Sequence, residues 1–260
     1  SCILDNGLTQ PVLAVVWDGT GYGPDQTVWG GEFLLVKDGS FERVGYLRPF
    51  RLPGGEQAVI DCRRPALGIL NEVFPRDFEA HIPETLKFSA QELRVLSSML
   101  QKGLNSPLTS SAGRLFDAVA GLLGLSRQQS FEGQAPMALE ALLQGRSGEE
   151  RYDFSISGNR PLILDWQACV LGILEDLQRG LEPALMALRF HNGLAQIIAA
   201  LAARIGERQV VLSGGCFQNR YLTERVIEAL RAVGLKPYWH RLIPPNDGGI
   251  AVGQLVAGGR

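Results

Sequence analysis

The sequence predicts an α/β protein with a helix-rich middle, and three glycine-containing loops support this fold class. An apolar run over residues 12–17 leads into the first loop, residues 18–23, and a second apolar run ends in the loop over 213–215, just before a predicted helix. A third loop, residues 246–249, precedes the final predicted helix. Glycine turns between strands and helices let backbone N–H groups approach a phosphate. We therefore expect a nucleotide site with a metal nearby.

Composition excludes several other classes of protein. The chain has 260 residues, 45% of them hydrophobic, and a formal net charge of −2, so no basic face for general nucleic-acid binding is expected. We find no secretory signal and no apolar run of membrane-spanning length, and expect no membrane partner. The four cysteines have no CxxC spacing, which predicts reduced thiols and a cytoplasmic location.

Apolar alternation and turn signals predict the first elements. Residues 1–7 have the pattern of a last helical turn closed by a glycine. Residues 12–17 predict a buried strand and residues 19–24 a turn. Two more strands, 32–37 and 41–47, flank the hairpin signal Asp38-Gly39, and 48–55 form an irregular joint.

Helical periodicity dominates after residue 56. We expect a helix over 56–72 interrupted at Pro65, and one over 90–102, where Ser89 and Glu92 have the spacing of a capping box. Further helices are predicted over 111–123, 136–144, 164–177 and 183–205, with a loop or weak hairpin over 145–160. The end of the chain alternates strand, helix, strand and helix over 209–212, 217–233, 236–240 and 248–256. This pattern divides the chain into residues 1–50 (strand-rich), 51–206 (helical) and 207–260 (βαβ-type).

The first candidate site is the loop Asp18, Gly19, Thr20 and Gly21. A carboxylate at the end of a buried strand, followed by glycines, can hold Mg²⁺ or a phosphate-bound water. An ordinary hairpin turn explains the same residues about equally well, since a lone glycine loop is a weak signal.

Two further candidates lie on predicted helices. Gly113 and Asp117 share one face of the helix over 111–123, where Asp117 could accept hydrogen bonds from ribose hydroxyls; close packing at the glycines is the competing explanation. Gly214 and Gly215 permit a tight passage into the next helix, and the amide of Asn219 could contact a base or ribose there, or simply cap the helix. Cys216 is expected to be a small buried residue, because no base is predicted beside its thiol.

The loop over 246–249 places Asp247 as an oxygen ligand for a metal or as a helix cap.

The three histidines have no i, i+3 or i+4 partner, so no paired histidine motif is predicted. His191 on its helix is the one worth examining. Four arginines flank or follow the proline-rich joint and predict either a small-anion site or a solvated basic surface: Arg48, Arg51, Arg63 and Arg64.

Eight blocks together resemble the hydrogenase-maturation carbamoyltransferase family, HypF, in the right order and from end to end of the chain. In sequence letters they are WDGTGYG (17–23), WGGEF (29–33), RPFRLPGG (48–55), SSAGRLFDAV (110–119), FEGQA (131–135), FHN (190–192), LSGGCFQN (212–219) and NDGGIA (246–251). The similarity is to the family's C-terminal domain, related to the enzymes that form threonylcarbamoyladenosine on tRNA. It implies an actin/Hsp70-like (ASKHA) nucleotide-binding fold, N-terminally incomplete, with residues 1–50 in the first lobe and 207–260 in the second.

The resemblance also implies a reaction and its residues. Carbamoyl adenylate, made from carbamoyl phosphate and ATP, would pass its carbamoyl group to the C-terminal cysteine thiol of a HypE-like partner, for the cyanide ligand of the NiFe centre. Asp18 and Asp247 would be catalytic, with Gly19, Thr20 and Gly21 at the phosphate. The nucleoside side would be lined by the following residues: Gly113, Asp117, Gly214, Gly215 and Asn219.

A divalent metal (iron, zinc or magnesium) would bind Asp247. The family's HxxxH motif, which supplies two further ligands, is absent from this sequence, so weak or no metal binding by this chain alone is expected. Two other functions remain open: an O-carbamoyltransferase acting on a small-molecule hydroxyl, and a non-catalytic fragment that binds a nucleotide or a partner.

Overall fold

Strands and helices alternate through residues 1–258, the range that the computed structural model describes. The strands are β1 (Val12–Tyr22), β2 (Val28–Lys37), β3 (Ser40–Leu47), β4 (Phe50–Arg51), β5 (Leu108–Thr109), β6 (Ser155–Ser157), β7 (Leu162–Asp165), β8 (Gln209–Ser213) and β9 (Lys236–Trp239). The α-helices are α1 (Cys2–Asp5), α2 (Gln57–Ile60), α3 (Arg63–Val73), α4 (Ala90–Lys102), α5 (Ala112–Leu122), α6 (Gln134–Ala141), α7 (Gln167–Gln178), α8 (Pro183–Ile205), α9 (Arg220–Ala232) and α10 (Ile250–Gly258). Short 3₁₀ turns lie at Phe78–His81, Gly215–Gln218 and Asp247–Gly249.

All strands within residues 1–258 belong to one mixed sheet with the main order β6-β7-β3-β2-β1-β8-β9. The central strand β1 pairs antiparallel with β2 and parallel with β8, with Val16 opposite Ser213. Because β1 and β8 run in the same direction, their carboxyl ends meet at one edge of the sheet. This pairing brings the loops that follow Trp17 and Leu212 together, although almost 200 residues separate them.

The strand order of the sheet can be compared with the predicted division of the chain into three parts. Strands from residues 1–50 and from 207–258 are direct neighbours, through the pairing of β1 with β8. The two parts that the sequence assigned to different lobes therefore share one sheet, because the parallel backbone ladder joins them. The boundaries near residues 50 and 206 stay a prediction.

The predicted turn over residues 19–24 is wrong in its first half. β1 continues through the glycines to Tyr22, because Gly21 and Tyr22 pair with Trp29 and Val28 across an irregular stretch of the ladder. The chain turns only between β1 and β2, where the N–H of Gly23 donates to the carbonyl of Thr27 at 3.0 Å. The residues after Asp18 thus lengthen β1 within the β1–β2 hairpin, whose turn lies at residues 23–27.

Two predicted helices are also corrected. The helix over 56–72 is broken between α2 and α3, because Asp61 forms a β-bridge with Gln128 and the N–H of Cys62 donates to Arg127. Pro65 falls in the first turn of α3, where it removes no helical hydrogen bond. The helix predicted over 164–177 begins only at Gln167, because residues 164 and 165 belong to strand β7, which pairs in parallel with the end of β3.

The best-capped helices are confirmed. In α4 the Ser89 hydroxyl accepts from the N–H of Glu92, the Glu92 carboxylate accepts from the N–H of Ser89, and Gly103 ends the helix in the left-handed conformation. α8 begins with Pro183 in its first turn and ends at Gly206, whose φ is +85°. These helix ends are set by capping residues that can be recognised in the sequence.

α8 confirms the helix predicted over 183–205, but it is more apolar than the sequence analysis allowed for. Its 23 residues suffice, by length and composition, to cross a membrane, and 78% of its most apolar window is buried within the protein. It packs against α7 and α9, and Phe190 contacts Phe116 of the buried helix α5 edge to face at 5.0 Å. α8 is therefore a central core helix of this fold. The four cysteines are all free.

Candidate functional site

A cavity of about 790 Å³ opens at the edge of the sheet where β1 and β8 end. Its walls come from the end of β1, the start of α5, residues 132–140, the turn after β8 and the loop before α10. Seven of the ten site residues expected from the sequence line it: Asp18, Gly19, Thr20, Gly113, Gly215, Asn219 and Asp247. The other three, Gly21, Asp117 and Gly214, lie outside the lining. Five segments of the chain thus share one cavity.

The start of α5 is fixed directly onto the first loop. The Ser111 hydroxyl accepts from the N–H of Arg114 at 3.1 Å as the helix cap, and lies 2.7 Å from the carbonyl oxygens of Asp18 and Gly19. A Cβ on Gly113 would lie 2.7 Å from Cα of Gly19, which no ordinary packing allows. Gly113 is therefore required for the close approach of α5 to the loop.

Asp117 is fully buried and its carboxylate is occupied by protein groups. One oxygen accepts from the Gln129 amide at 3.0 Å, and the other lies 2.9 Å from the Arg114 guanidinium. Burial raises the pKa of Asp117 to about 6, although Arg114 and the Gln129 hydrogen bond oppose that shift. The ribose contact expected from the resemblance stays a prediction; in this structure Asp117 contacts Arg114 and Gln129.

Arg114 lines the cavity and was missed by the sequence analysis. Its side chain is only 3% exposed, and Nη2 lies 3.8 Å from the Glu132 carboxylate at the mouth of the cavity. Nη1 forms the ion pair with Asp117 without hydrogen-bond geometry, and Nε has no hydrogen-bond partner among the described residues. Arg114 and Asp117, three residues apart in a helix that is otherwise apolar, signal a buried charged pair but not a cavity. Arg114 supplies the positive charge of the lining.

The glycines on one face of α5 have different roles. A Cβ on Gly121 would lie 2.5 Å from the carbonyl oxygen of Cys62, so this position serves close packing against the start of α3. Gly113 faces the loop of β1 and also lines the cavity. The packing explanation thus accounts for Gly121, and both explanations fit Gly113.

The turn after β8 is shaped by Gly214, whose φ is +99° and whose Cβ would collide with the Trp17 carbonyl oxygen. Asn219 caps α9, since its Oδ1 accepts from the N–H of Leu222 at 2.8 Å. Its Nδ2 contacts Nε2 of His191 at 2.9 Å. Burial raises the pKa of the Cys216 thiol above its ordinary range, so this cavity cysteine is a poor nucleophile.

The loop before α10 joins the same cavity through the backbone. Its Pro245 carbonyl accepts from the N–H of Gly214 at 3.0 Å, and the Asn246 side chain accepts from the N–H of Gly248 at 3.1 Å. Asp247 is exposed on the cavity side of this loop. Within residues 1–258 no group of three His, Cys, Asp or Glu side chains lies close enough to hold a metal ion. The described residues therefore do not make a metal site on their own.

The electrostatics of the lining are mixed. Four carboxylates, those of Asp18, Glu132, Glu140 and Asp247, surround a single guanidinium, that of Arg114. Thr20 and Asn219 add a hydroxyl and an amide, while the N–H groups of Gly19 and Gly248 donate to the side chains of Asp18 and Asn246. Such a lining suits a phosphorylated polar ligand that enters with a neutralising cation.

The four arginines around the proline-rich joint do not form an anion site. Arg48 pairs with Asp165, Arg63 donates to Asp61 and to the Lys87 carbonyl, Arg64 donates to the Pro53 carbonyl, and Arg51 donates to the Ser106 carbonyl. Each guanidinium is bonded to a different part of the framework, so neither the anion site nor the solvated basic surface describes them. Arg48, Arg51 and Arg64 hold the joint to β7, to the loop before β5 and to α3.

Comparison with known proteins agrees with this architecture. Residues 14–254 match the family model described as "Carbamoyltransferase, Kae1-like Domain, second subdomain". The carbamoyltransferase HypF of Synechocystis sp. is 41% identical over 264 residues, which cover 96% of this chain and 34% of that protein. A tRNA N6-adenosine threonylcarbamoyltransferase of Thermus thermophilus is 30% identical over 145 residues, 52% of this chain and 41% of that protein.

A solved structure shows the same fold. The crystal structure of full-length HypF in the phosphate- and nucleotide-bound form superposes with a TM-score of 0.92 at 37% identity, covering 99% of this chain and 40% of that one. The expected fold class, α/β of the actin/Hsp70-like nucleotide-binding type, is confirmed. The chain spans about a third of the length of the HypF protein of Synechocystis. On these matches and on the shared fold, the chain belongs to the HypF carbamoyltransferase family.

Proposed function

We propose that this chain binds the adenylate moiety of carbamoyl adenylate in the 790 Å³ cavity and carries the transfer of its carbamoyl group to a thiol. The intermediate would be made from carbamoyl phosphate and ATP elsewhere in a longer enzyme. The acceptor is the C-terminal cysteine of a HypE-like partner in the cytoplasm, in the pathway that supplies cyanide to a NiFe centre. Carbamoyl transfer in hydrogenase maturation is favoured by the family; the intermediate and the acceptor are our finer proposals.

The observation that supports this proposal is the convergence of the β1 loop, the α5 terminus, the turn after β8 and the loop of Asp247 on one cavity. Backbone N–H groups and the Thr20 hydroxyl suit a phosphate, and the Asn219 amide suits a ribose or base. We assign the phosphate to Gly19, Thr20 and Gly21. The nucleoside is assigned to the remaining glycines, to Asn219 and to the two residues Arg114 and Asp117.

In the proposed transfer the acceptor sulfur bonds to the carbamoyl carbon as the bond from that carbon to the phosphate oxygen breaks. AMP leaves, and the thiol proton passes to a carboxylate of the lining or to solvent. Asp18 and Asp247 are the carboxylates that we place beside the reacting group. Backbone donors around the carbonyl oxygen would stabilise the charge that develops there. Asp247 is also our candidate metal ligand, but since the described residues complete no metal site, no step is assigned to a metal.

Nucleotide binding is the first test. Calorimetric titration of the 260-residue chain with AMP and with ATP is expected to show one site, and Asn219→Ala is expected to weaken it about tenfold by removing both amide contacts. Leu242→Ala is the matched control, because this side chain is 92% exposed and lies outside the cavity lining. Absence of binding by the wild-type chain, or equal affinities for the Asn219 and Leu242 variants, would contradict the proposal.

The acceptor is tested in the complete enzyme that contains this chain. Incubation with carbamoyl phosphate, ATP and a peptide ending in cysteine is expected to add one carbamoyl group to the sulfur, detected by mass spectrometry. The same peptide ending in serine is the control. Carbamoylation of the serine peptide or of small-molecule hydroxyls, with none at the thiol, would support the O-carbamoyltransferase instead.

A further inference from the structure

His191 occupies an unusual position for an ionisable side chain. It lies in the middle of α8 with no exposed surface, enclosed by the rings of Phe116, Phe190 and Tyr221 at centroid distances of 5.4, 5.7 and 5.8 Å. Burial lowers the pKa of His191 from 6.5 to about 4. Tyr221, whose pKa is raised by burial, is the titratable group that faces the ring. The imidazole is therefore neutral at pH 7.

The hydrogen bonds of this ring determine its tautomer. Nδ1 lies 2.7 Å from the carbonyl oxygen of Ala187, one helical turn earlier. A carbonyl oxygen only accepts, so Nδ1 carries the proton and Nε2 is left with a lone pair. That lone pair lies 2.9 Å from Nδ2 of Asn219 and accepts a hydrogen bond from it.

This acceptor fixes which way round the Asn219 amide sits. Nδ2 is held by His191, and Oδ1 accepts from the N–H of Leu222 at 2.8 Å. A flipped amide would place Oδ1 against the Nε2 lone pair and Nδ2 against an N–H donor, so both contacts would be repulsive. One N–H and one lone pair of the amide remain for the cavity that Asn219 lines.

We propose that His191 is a positioning residue of the nucleotide site, which orients the Asn219 amide so that one donor and one acceptor face the ribose or base. The inference rests on the nucleotide-binding function proposed above. His191 does not touch the ligand itself; it acts through Asn219. A buried amide without this partner could rotate, and its unpaired N–H would carry an energetic penalty in both orientations.

The neighbouring asparagine on α8 provides a control. Asn192 is also buried, but its Nδ2 donates to the carbonyls of Gly148 and Glu150 at 2.9 Å, and its Oδ1 accepts from the Tyr221 hydroxyl. These contacts hold the loop before β6 and do not reach Asn219. A change at Asn192 is thus a buried polar truncation in the same helix that leaves the hydrogen bonds of Asn219 to His191 and Leu222 in place.

The test compares His191→Leu, His191→Gln and Asn192→Ala in the 260-residue chain by AMP titration and by thermal unfolding. His191→Leu is expected to weaken AMP binding by about 5- to 50-fold, because Nδ2 of Asn219 loses its acceptor. His191→Gln, which returns an acceptor oxygen near the Nε2 position, is expected to bind within about threefold of the wild type. Asn192→Ala is expected to lower the unfolding temperature and leave the AMP affinity unchanged.

Wild-type affinity in His191→Leu, or an equal loss in His191→Leu and His191→Gln, would overturn the inference while leaving nucleotide binding intact. A wild-type chain that binds no nucleotide would instead overturn the proposed function. Should the variants fail to fold, long-range ¹⁵N–¹H spectra of the wild-type imidazole decide the matter. A proton on Nδ1 at pH 7 supports the arrangement, and a proton on Nε2 refutes it.

Discussion

Replacing Gly113 with alanine places a methyl carbon 2.7 Å from Cα of Gly19 and 3.1 Å from the carbonyl oxygen of Asp18. Both neighbours are backbone atoms of the loop that ends β1. Ordinary van der Waals contact begins at 3.4 Å, so α5 and the loop must separate by about 0.7 Å. This shift lies within the cavity and displaces the groups that we assign to the phosphate.

The cost can be divided between stability and binding. Overpacking of this kind costs about 1–3 kcal/mol, and alanine in place of a helical glycine returns about 1 kcal/mol. We expect a net destabilisation of about 1 kcal/mol, or about 3 °C in the unfolding temperature for a chain of this size. Loss of one backbone hydrogen bond to a charged phosphate costs about 1.5–3 kcal/mol, which weakens ATP binding at least about tenfold.

Gly121→Ala is the matched control on the same helix. Its new methyl carbon would lie 2.5 Å from the carbonyl of Cys62, away from the cavity, and it receives the same gain in helix propensity. Calorimetry with ATP and thermal unfolding of both variants separate the two effects. Equal ATP affinities for the Gly113 and Gly121 variants would refute the reasoning that α5 positions the phosphate loop.

Three further predictions concern charge and metal binding. Arg114→Gln is expected to lower the free energy of unfolding by about 3–5 kcal/mol, because the buried Asp117 carboxylate loses its cation. Adding Asp117→Asn should restore most of this stability in urea titrations. The double variant should not regain the ATP affinity. Below pH 6.5 the unfolded chain protonates His191, whereas the folded chain keeps the imidazole neutral until about pH 4. Urea titrations should therefore show the free energy of unfolding falling by about 3 kcal/mol between pH 6.5 and 4. In His191→Gln this loss should be absent. Because burial raises the pKa of Asp117, its protonation increases the free energy of unfolding as the pH falls from 6 to 4. This contribution is equal in the wild type and in His191→Gln. Titration with Mg²⁺, Zn²⁺ or Fe²⁺ should show no tight stoichiometric binding to the chain alone, since the described residues form no three-ligand cluster.

Each of these has a contradicting outcome. An Arg114→Gln variant with wild-type stability would show that the buried pair is unimportant. A pH dependence that is identical in His191→Gln and the wild type would assign the acid transition to other groups. Tight metal binding at one equivalent would mean that Asp247 finds ligands that this structure does not bring together.

The parts of the fold that the sequence predicts well are those set by local chemistry. The capping box of Ser89 and Glu92 and the glycines at 103 and 206 define helix ends within a few residues of chain. Elements that depend on distant partners were predicted poorly. The helix predicted from residue 164 overlaps the end of β7, whose backbone pairs with β3 more than one hundred residues away. No window of the sequence contains that partner.

The same distinction applies to the site. Glycine loops and a lone carboxylate indicated Asp18, Asn219 and Asp247, but only the parallel pairing of β1 with β8 brings them to one edge. Arg114 was missed because one arginine in an apolar helix does not reveal whether it faces a cavity. Asp117 was placed toward the ligand from helical spacing, which gives the face of a residue but not the ion pair that occupies it.

A crystal structure of this chain with a non-hydrolysable ATP analogue would test the central claim most directly. We predict that the phosphates lie against Gly19 and Thr20 and that the ribose or base lies near Gly215, within hydrogen-bonding distance of the Asn219 amide. A smaller cavity of about 450 Å³, lined by Arg64, Asn105 and residues of α4, offers the clearest competing location. Nucleotide density there, with the larger cavity free of it, would contradict the account.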